Sequence, residues 1–297
     1  MMNFRNVQPP SLLGRILFWL ATALVLFVFL FPLYWIFITA FKVRPDITQL
    51  PPRFVPWVDF QPTLFNMHEV LVEMQVSQFG TATQPSEFPG KLLNSVVISG
   101  TATVAAVLLG TLAAYAFSRF EVRGKGDLLF FILSTRMLPP VVTVIPLFLM
   151  FKELGMRDTL HGITLLYTTM GLPFVVWMMK GFLDEIPREL EEAAMVDGYS
   201  RLAAIWKIVI PEVIPAMLAT AVFVLITAWN EFVFVQLLNP NQYTTATPFL
   251  YGVVGYGRTE WGRMAATTVV FVSPIVIFTF LVRNHLLRGV TFGAVRR

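Results

Sequence analysis

The chain has 297 residues, of which 56% are hydrophobic and only 13% charged, and its mean hydropathy is +0.68. Because a soluble domain carries about 25% charged residues, this composition indicates an integral membrane protein. The net charge of +4 comes from basic residues that flank apolar segments, which argues against nucleic-acid binding. The chain has no cysteine, so disulfides and thiolate metal sites are excluded, and three widely separated histidines argue against a metal centre.

The N-terminal part of the chain divides into three segments. Residues 1–15 form a short N-terminal segment, and 16–41 form a first apolar span, about 39 Å long as a helix. This span is too long for the apolar region of a signal peptide, so we expect it to be retained. Residues 42–91 are rich in proline, which predicts an irregular segment laid along a surface.

Five further segments are apolar and long enough to cross a bilayer, for which about 20 residues suffice. They form a core over 92–285, followed by a C-terminal tail at 286–297, and predict an all-α integral membrane protein with six transmembrane helices. Segments on the side of the termini hold 13 Lys and Arg in 67 residues, against 8 in 82 on the other side. This bias predicts cytoplasmic termini and an external segment 42–91. The five spans are 92–118, 128–151, 159–179, 208–238 and 264–282.

Three polar residues inside the predicted spans are candidates for a translocation pathway. Arg136 lies in the third span, and Asn230 and Glu231 lie in the fifth. Polar side chains in a bilayer usually face the bundle interior or an aqueous cavity, so these three could line a solute path. The alternative for Asn230 and Glu231 is an interhelical hydrogen bond that fixes the fifth span. A direct pair between Arg136 and Glu231 is not predicted, because their expected depths differ.

A proline cluster interrupts the third span. Pro139 and Pro140, with Pro146 further on, predict a kink or a local unwinding of the helix. Such a break can expose backbone groups beside a translocation path, or it can be a static feature of packing.

Residues 186–207 form a polar insert between the fourth and fifth spans. Glu192-Ala193-Ala194 precede Asp197-Gly198, where Gly can adopt the left-handed conformation that ends a helix. Ser200 can then cap a second short helix that runs towards Pro211. We therefore predict two short helices at an angle, lying under the membrane.

The balance of charged residues in this insert indicates whether it contacts lipid or protein. Between Lys180 and Lys207 there are six acidic and four basic residues, the wrong sign for an anionic lipid surface. This balance favours docking to a protein partner over resting on lipid headgroups.

The insert resembles the EAA loop of ABC importer permeases, in which Glu-Ala-Ala is followed three residues later by Gly and then by Ile-x-Leu-Pro. Glu192-Ala193-Ala194 and Gly198 have that spacing, and Ile208 to Pro211 supply the ending, with Ile210 in place of Leu. Other motifs, spread over nearly the whole chain, resemble the MalG-like permease subunit of maltose-type carbohydrate importers. These motifs are Asn94-Ser95, Ala114–Phe120, Met137–Pro140, Ala228–Phe232 and Gly289–Val295.

The resemblance implies a type I ABC importer permease bundle with cytoplasmic EAA coupling helices, in the cell inner membrane. It implies a MalF-like second permease subunit, two ATPase subunits and a periplasmic solute-binding protein as partners, with sugars, polyols or related glycosides as substrates. The tail residues Gly293, Ala294 and Val295 would reach the ATPase pair. The residues implied in ATPase coupling are Glu192, Ala193, Ala194, Asp197, Gly198, Ile208 and Pro211.

The energy source must lie outside this chain. Neither Gly90-Lys91 nor Gly124-Lys125 is followed by Ser or Thr, so the phosphate-cradling GxxxxGK[ST] loop is missing. We expect no catalytic residue and no cofactor here, with ATP-Mg bound by partner subunits.

Two other classes of protein remain as alternatives. A stand-alone ion-coupled secondary transporter or channel would need ion ligands and usually inverted repeats, and only Arg136, Glu212 and Glu231 are candidate ligands. A membrane enzyme would need a cluster of nucleophilic or acid–base residues, which the sequence does not suggest.

Overall fold

A computed structural model describes residues 11–75, 83–252 and 260–292. The chain divides into two compact units, Met1–Ser86 with Val253–Val269 and Glu87–Gly252 with Val270–Arg297. Within these described ranges, five helices have the length and hydropathy of a membrane span, and a bent helix pair brings the number to six if it counts as one span. The predicted all-α membrane fold is therefore confirmed.

The first unit contains one long apolar helix followed by short elements. The elements are α1 (Leu12–Thr39), α2 (Arg44–Thr48), α3 (Phe65–Leu71), β1 (Glu73–Gln75) and β2 (Thr83–Pro85), the two strands pairing antiparallel. Ser11 begins α1, because its side chain accepts a hydrogen bond from the Gly14 N–H at 3.2 Å. The most apolar window of α1 is not buried by the chain itself, as expected of a helix that is apolar on all sides and lies in lipid.

Lys42 anchors the segment that follows α1. Its side chain is fully buried, and its Nζ donates to the Arg53 carbonyl at 2.5 Å. The same Nζ lies 4.2 Å from the ring centre of Trp35 and 4.9 Å from that of Phe60. Burial lowers the pKa of Lys42, and the negative charge of Asp46 opposes that shift. The start of the proline-rich segment is thus folded around one buried cation.

The second unit is a helical bundle built on three long helices, α4 (Phe88–Arg119), α7 (Leu160–Glu185) and α10 (Ile210–Trp229). A 3₁₀ turn at Thr135–Met137 and a π turn at Ile205–Val209 extend two of its helices. One cluster of buried apolar side chains joins the three long helices, including Val107, Val175 and Val213. The helices are α4 (Phe88–Arg119), α5 (Lys125–Ser134), α6 (Pro140–Glu153), α7 (Leu160–Glu185), α8 (Glu189–Val196), α9 (Arg201–Ala204), α10 (Ile210–Trp229), α11 (Val233–Leu238), α12 (Ala246–Gly252) and α13 (Trp261–Phe292), the last beginning in the first unit.

Glycine allows α4 and α7 to pack closely. A Cβ added to Gly110 of α4 would lie 2.6 Å from Cγ1 of Val175, and one added to Gly171 of α7 would lie 3.1 Å from Cβ of Ala106. In a bilayer, where apolar surface gains little by leaving lipid, such close approach supplies much of the packing energy between helices.

The predicted third span, 128–151, is not one straight helix. α5 with its 3₁₀ turn meets α6 at 94°, and Leu138 and Pro139 between them are extended. Proline restricts the residue before it to extended conformations and lacks the N–H that would continue a helix, so two adjacent prolines force the break. The predicted kink is confirmed.

The predicted fifth span, 208–238, is also interrupted. α10 ends at Trp229 and α11 begins at Val233. The break is stable because the Glu231 carboxylate accepts hydrogen bonds from the N–H groups of Phe234 and Val235 at the start of α11.

The helix expected to end near Pro211 instead continues into the membrane. α9 passes through the π turn Ile205–Val209 into α10 without a stop. Pro211 lies in the first turn of α10, and the wider π turn just before it accommodates the missing N–H. The prediction of a separate second helix was therefore wrong at its C-terminal end.

The close packing of α4 and α7 can be tested by adding one methyl group. Gly110→Ala places a Cβ against Val175 and should lower the free energy of unfolding by about 1–3 kcal/mol, the usual range for overpacking. The measurement is the thermal unfolding midpoint of the purified protein in mild detergent. A Cβ added to Gly100 of the same helix would meet no atom within 4 Å, so Gly100→Ala should be neutral or stabilising. Equal midpoints for the two variants would contradict the packing described.

Candidate functional site

A sharp turn separates the two short helices of the polar insert. Gly198 has a φ of +90°, and the Asp197 N–H bonds back to the Ala193 carbonyl at 3.0 Å. The Ser200 hydroxyl accepts a hydrogen bond from the Ala203 N–H at 3.3 Å and begins α9. The predicted left-handed glycine and the predicted Ser200 cap are both confirmed.

The residues predicted to couple to a partner differ in exposure. Glu192, Ala193, Asp197 and Gly198 are exposed, whereas Ala194 is buried. Further along, Ile208 is half-buried and Pro211 is exposed. The other predicted contacts, Gly293, Ala294 and Val295, lie outside the described residues.

Several large apolar side chains on the insert are also exposed. The most exposed is Val196, with 87% of its surface accessible. Large apolar side chains grouped on a polar segment usually mark a contact with another molecule. We call this group the loop surface; its members are Leu190, Val196, Tyr199, Leu202 and Trp206.

A buried acidic side chain holds α8 against the end of α4. The Glu191 carboxylate accepts a hydrogen bond from the Tyr115 hydroxyl at 2.6 Å and pairs with Arg119 Nε at 2.5 Å. The Glu191 and Arg119 side chains are only 8% and 6% exposed. Sequence reasoning had selected Glu192 and missed Glu191. Glu191 shares a helical face with Ala194, but the sequence does not indicate that this face is the buried one.

Further bonds tie the end of α4 to the chain around α8. Arg119 Nη2 donates to the Ile186 carbonyl at 3.0 Å, and Arg188 Nη2 donates to the Ser118 carbonyl at 2.9 Å. The Ser118 hydroxyl donates to Asp184 at 2.6 Å. Together with the Glu191 pair, these bonds form what we call the α4–α8 clamp. The start of the insert's first helix is thereby fixed to one span.

Arg136 lies at the break between α5 and α6 and faces a cavity. Its Nη1 donates to the Met170 carbonyl of α7 at 2.8 Å, and the side chain is exposed. The cavity has a volume of about 480 Å³, within the usual range of small-molecule sites. A smaller cavity of about 110 Å³ adjoins these residues and shares Arg136, Met170, Thr227 and Glu231.

Glu231 lines the same two cavities but is held by protein donors. Its carboxylate accepts the Tyr167 hydroxyl at 3.0 Å and the N–H groups of Phe234 and Val235 at 3.0 and 3.2 Å. Within the described ranges, no ion pair links Arg136 and Glu231. Both groups nevertheless face one cavity.

Asn230 has a local role in the structure. It follows the last residue of α10, and its Nδ2 donates to the Ile226 carbonyl of the same helix at 2.8 Å. It is not among the residues that line either cavity near Arg136. Its bond lies within one helix, so the interhelical alternative does not hold for Asn230. It does hold for Glu231, whose carboxylate accepts the Tyr167 hydroxyl of α7. Among the described residues, no group of three or more His, Asp or Glu side chains could hold a metal ion.

Long apolar helices, two of them broken beside a cavity that Arg136 and Glu231 line, and a polar insert clamped to a span are features of a membrane transport permease. The chain belongs to the family of binding-protein-dependent transport system inner membrane components, whose model matches residues 106–291. The resemblance predicted from the loop and the flanking motifs is confirmed. The chain is a permease subunit and not itself an enzyme.

Relatives of known name cover nearly the whole chain. It is 31% identical to the trehalose/maltose transport system permease protein MalG of Thermococcus litoralis, over 96% of this chain and 98% of the relative. It is also 31% identical to the diacetylchitobiose uptake system permease protein DasC of Streptomyces coelicolor, over 96% and 99%.

A solved structure supports the fold. A bacterial ABC transporter involved in the import of the acidic polysaccharide alginate has a chain that matches with a TM-score of 0.72. The match covers 94% of this chain and 99% of that one at 22% identity. The likeness shows that the two chains share a fold.

The clamp can be tested by neutralising its buried carboxylate. Glu191→Gln leaves Arg119 buried without its counter-ion, and breaking such a pair should cost about 3–5 kcal/mol. We expect faster protease cleavage within 186–207 and a lower thermal midpoint. Glu189 is exposed on the same helix, so Glu189→Gln is the matched control and should behave as wild type. Unchanged cleavage in Glu191→Gln would rule out the clamp as the element that orders the insert.

Proposed function

We propose that this chain is the membrane-spanning permease subunit of an ATP-driven importer for a sugar, a polyol or a related glycoside. The observation that carries the proposal is the clamped insert, which presents an apolar loop surface beside a rigid connection to the spans. The names of the relatives support the solute class, since they describe transport systems for trehalose, maltose and diacetylchitobiose.

The proposed assembly has several subunits. This chain would form half of the translocation pathway together with a second, MalF-like permease subunit. Two ATPase subunits would bind ATP-Mg on the cytoplasmic side, and a periplasmic binding protein would deliver the solute. The family description supports this arrangement, because it defines an inner membrane component that depends on a binding protein.

The insert would pass movement of the ATPases to two spans. Its first helix is fixed to the end of α4 by the α4–α8 clamp, and its second helix continues into α10. A displacement of the loop surface by closing ATPases would therefore move α4 and α10 together. α7 would follow them, since the three helices share one packed cluster. The coupling is mechanical and involves no covalent chemistry in this chain.

The cavity beside Arg136 is the proposed solute path. It lies where both broken spans meet, between the α5–α6 break and the α10–α11 break. Irregular backbone at membrane depth is tolerated where it lines a water-filled cavity, and transporters commonly bind solute at such breaks. Opening and closing of this cavity would give alternating access.

The proposed orientation can be tested with single cysteines, because the natural chain has none. Val58 and Val196 are both highly exposed valines, one in segment 42–91 and one on the loop surface. In spheroplasts, whose inner membrane is intact, a membrane-impermeant maleimide should label Val58→Cys. It should label Val196→Cys only after detergent opens the inner membrane. Labelling of Val196→Cys in intact spheroplasts would overturn both the orientation and the coupling role.

The docking role can be tested at the turn of the insert. Gly198→Asp adds a charge at the centre of the exposed turn, so we expect loss of solute uptake and of ATPase co-purification, with the protein still in the membrane. Gly155 also has a positive φ, +65° against +90°, but lies between α6 and α7, on the predicted external side. Gly155→Asp therefore imposes similar backbone strain and should keep the ATPases bound. Normal uptake by well-expressed Gly198→Asp protein would count against the mechanism.

A further inference from the structure

The charge of Arg136 is not neutralised by any contact described in the chain. It lies about 13 Å along the helix from Asp127, which is close to the middle of a bilayer core of about 30 Å. Its one described hydrogen bond goes to a carbonyl group, that of Met170, and uses one of five guanidinium N–H donors. A charge at such depth normally faces a cavity and meets a counter-charge.

Glu231 does not supply that counter-charge by direct contact. Three protein donors already occupy its carboxylate: the Tyr167 hydroxyl and two backbone N–H groups of α11. The carboxylate is therefore committed to holding α11 and Tyr167 in place. Of the described residues that line the larger cavity, Arg136 and Glu231 are the charged ones, and no ion pair joins them.

The remaining polar side chains of the cavity are threonines, whose hydroxyl protons already form hydrogen bonds to backbone carbonyls. Each donates to a carbonyl of its own helix, at distances between 2.7 and 3.1 Å. Their oxygens can still accept hydrogen bonds from sugar hydroxyls, but they offer no proton to an anion. The four residues are Thr135, Thr143, Thr169 and Thr227.

We propose that Arg136 is a specificity-determining residue that binds an anionic oxygen group of the solute, so that the imported molecule is an acidic sugar. This inference rests on the proposed function and narrows its solute class. A carboxylate, sulfate or phosphate group matches the planar fork of a guanidinium, which can donate two parallel hydrogen bonds to it. The threonine oxygens would accept from the neutral hydroxyls of the same solute.

The experiment uses the complex purified with its partners in mild detergent and a single cysteine in the cavity. Thr227 lines both cavities and is exposed, so Thr227→Cys reports occupancy through its rate of maleimide labelling. The probes are glucose and three anionic counterparts: glucuronate, glucose 6-sulfate and glucose 6-phosphate. Val58→Cys, an exposed position in segment 42–91, is the control, and its labelling should not respond to any probe.

With Arg136 present, at least one anionic probe should slow labelling of Thr227→Cys at a concentration about tenfold below that needed for glucose. Arg136→Gln should abolish this difference, whereas Arg136→Lys should keep part of it, because lysine retains the charge but not the fork. Thr169→Val removes a hydroxyl from the same cavity and should leave the preference for the anion unchanged.

Three results would overturn the inference. One is equal or absent protection by all four probes in the wild-type background. Another is a preference for anions that survives Arg136→Gln. The third is loss of the second permease subunit from Arg136→Gln complexes, which would assign the guanidinium to a subunit contact. Failure of the proposed function is seen separately, as wild-type protein that purifies without an ATPase.

Discussion

A bilayer offers no hydrogen-bond partners, so every backbone group that leaves helical geometry inside it must find one in the protein. The second unit meets this constraint at two breaks. At the first, proline removes the donor that would otherwise be unpaired, because Pro139 and Pro140 have no N–H. At the second, the Glu231 carboxylate accepts two of the N–H groups that begin α11. Both breaks face the same cavity, so its position follows from where the chain can interrupt a helix without leaving orphan groups.

The same constraint separates the charged residues into two places. Near the end of α4, charges pair with each other: Arg119 with Glu191, and Lys180 with Asp184. Beside the cavity, Arg136 and Glu231 are held apart by their own hydrogen bonds to α7 and α11. The Arg119–Glu191 pair is buried, so removing either partner would leave a buried ion, and such a pair suits a connection that transmits force. Because Arg136 forms no ion pair with Glu231, its guanidinium can bind a solute and release it again.

Much of this architecture could be predicted from the sequence, because length, hydropathy and proline act locally. Gly198 and Ser200 set the turn of the insert through their own backbone preferences and were predicted correctly. The path of the chain beyond α9 was not predicted. The π turn at Ile205–Val209 accommodates Pro211 within a continuous helix, and this depends on the packing of that helix in the bundle.

The site was harder to predict, because its contacts join distant parts of the chain. Glu192 carries the motif, yet Glu191 makes the buried pair, with a partner 72 residues away. Asn230 and Glu231 are adjacent, but one bonds within its own helix and the other faces the cavity. Which of two neighbouring polar residues turns inward depends on packing, and the period of a single helix does not decide it when the helix is about to break.

α10 connects the polar insert to the cavity beside Arg136. It runs for 20 residues, or about 30 Å, from the π turn that follows the insert to the break that Glu231 stabilises. α4 and α7 pack against its side with glycine and small apolar residues at the contacts, and this packing opposes bending although Pro215 lies inside the helix. In the proposed mechanism, a push on the insert would therefore arrive at the cavity as displacement of a whole helix. Glu231 would move with that helix and with α7, while Arg136 lies at the end of α5, outside the packed cluster of the three long helices. The distance between the two charges would then change with each cycle, which gives the cavity a way to hold an anion in one state and weaken its grip in the other.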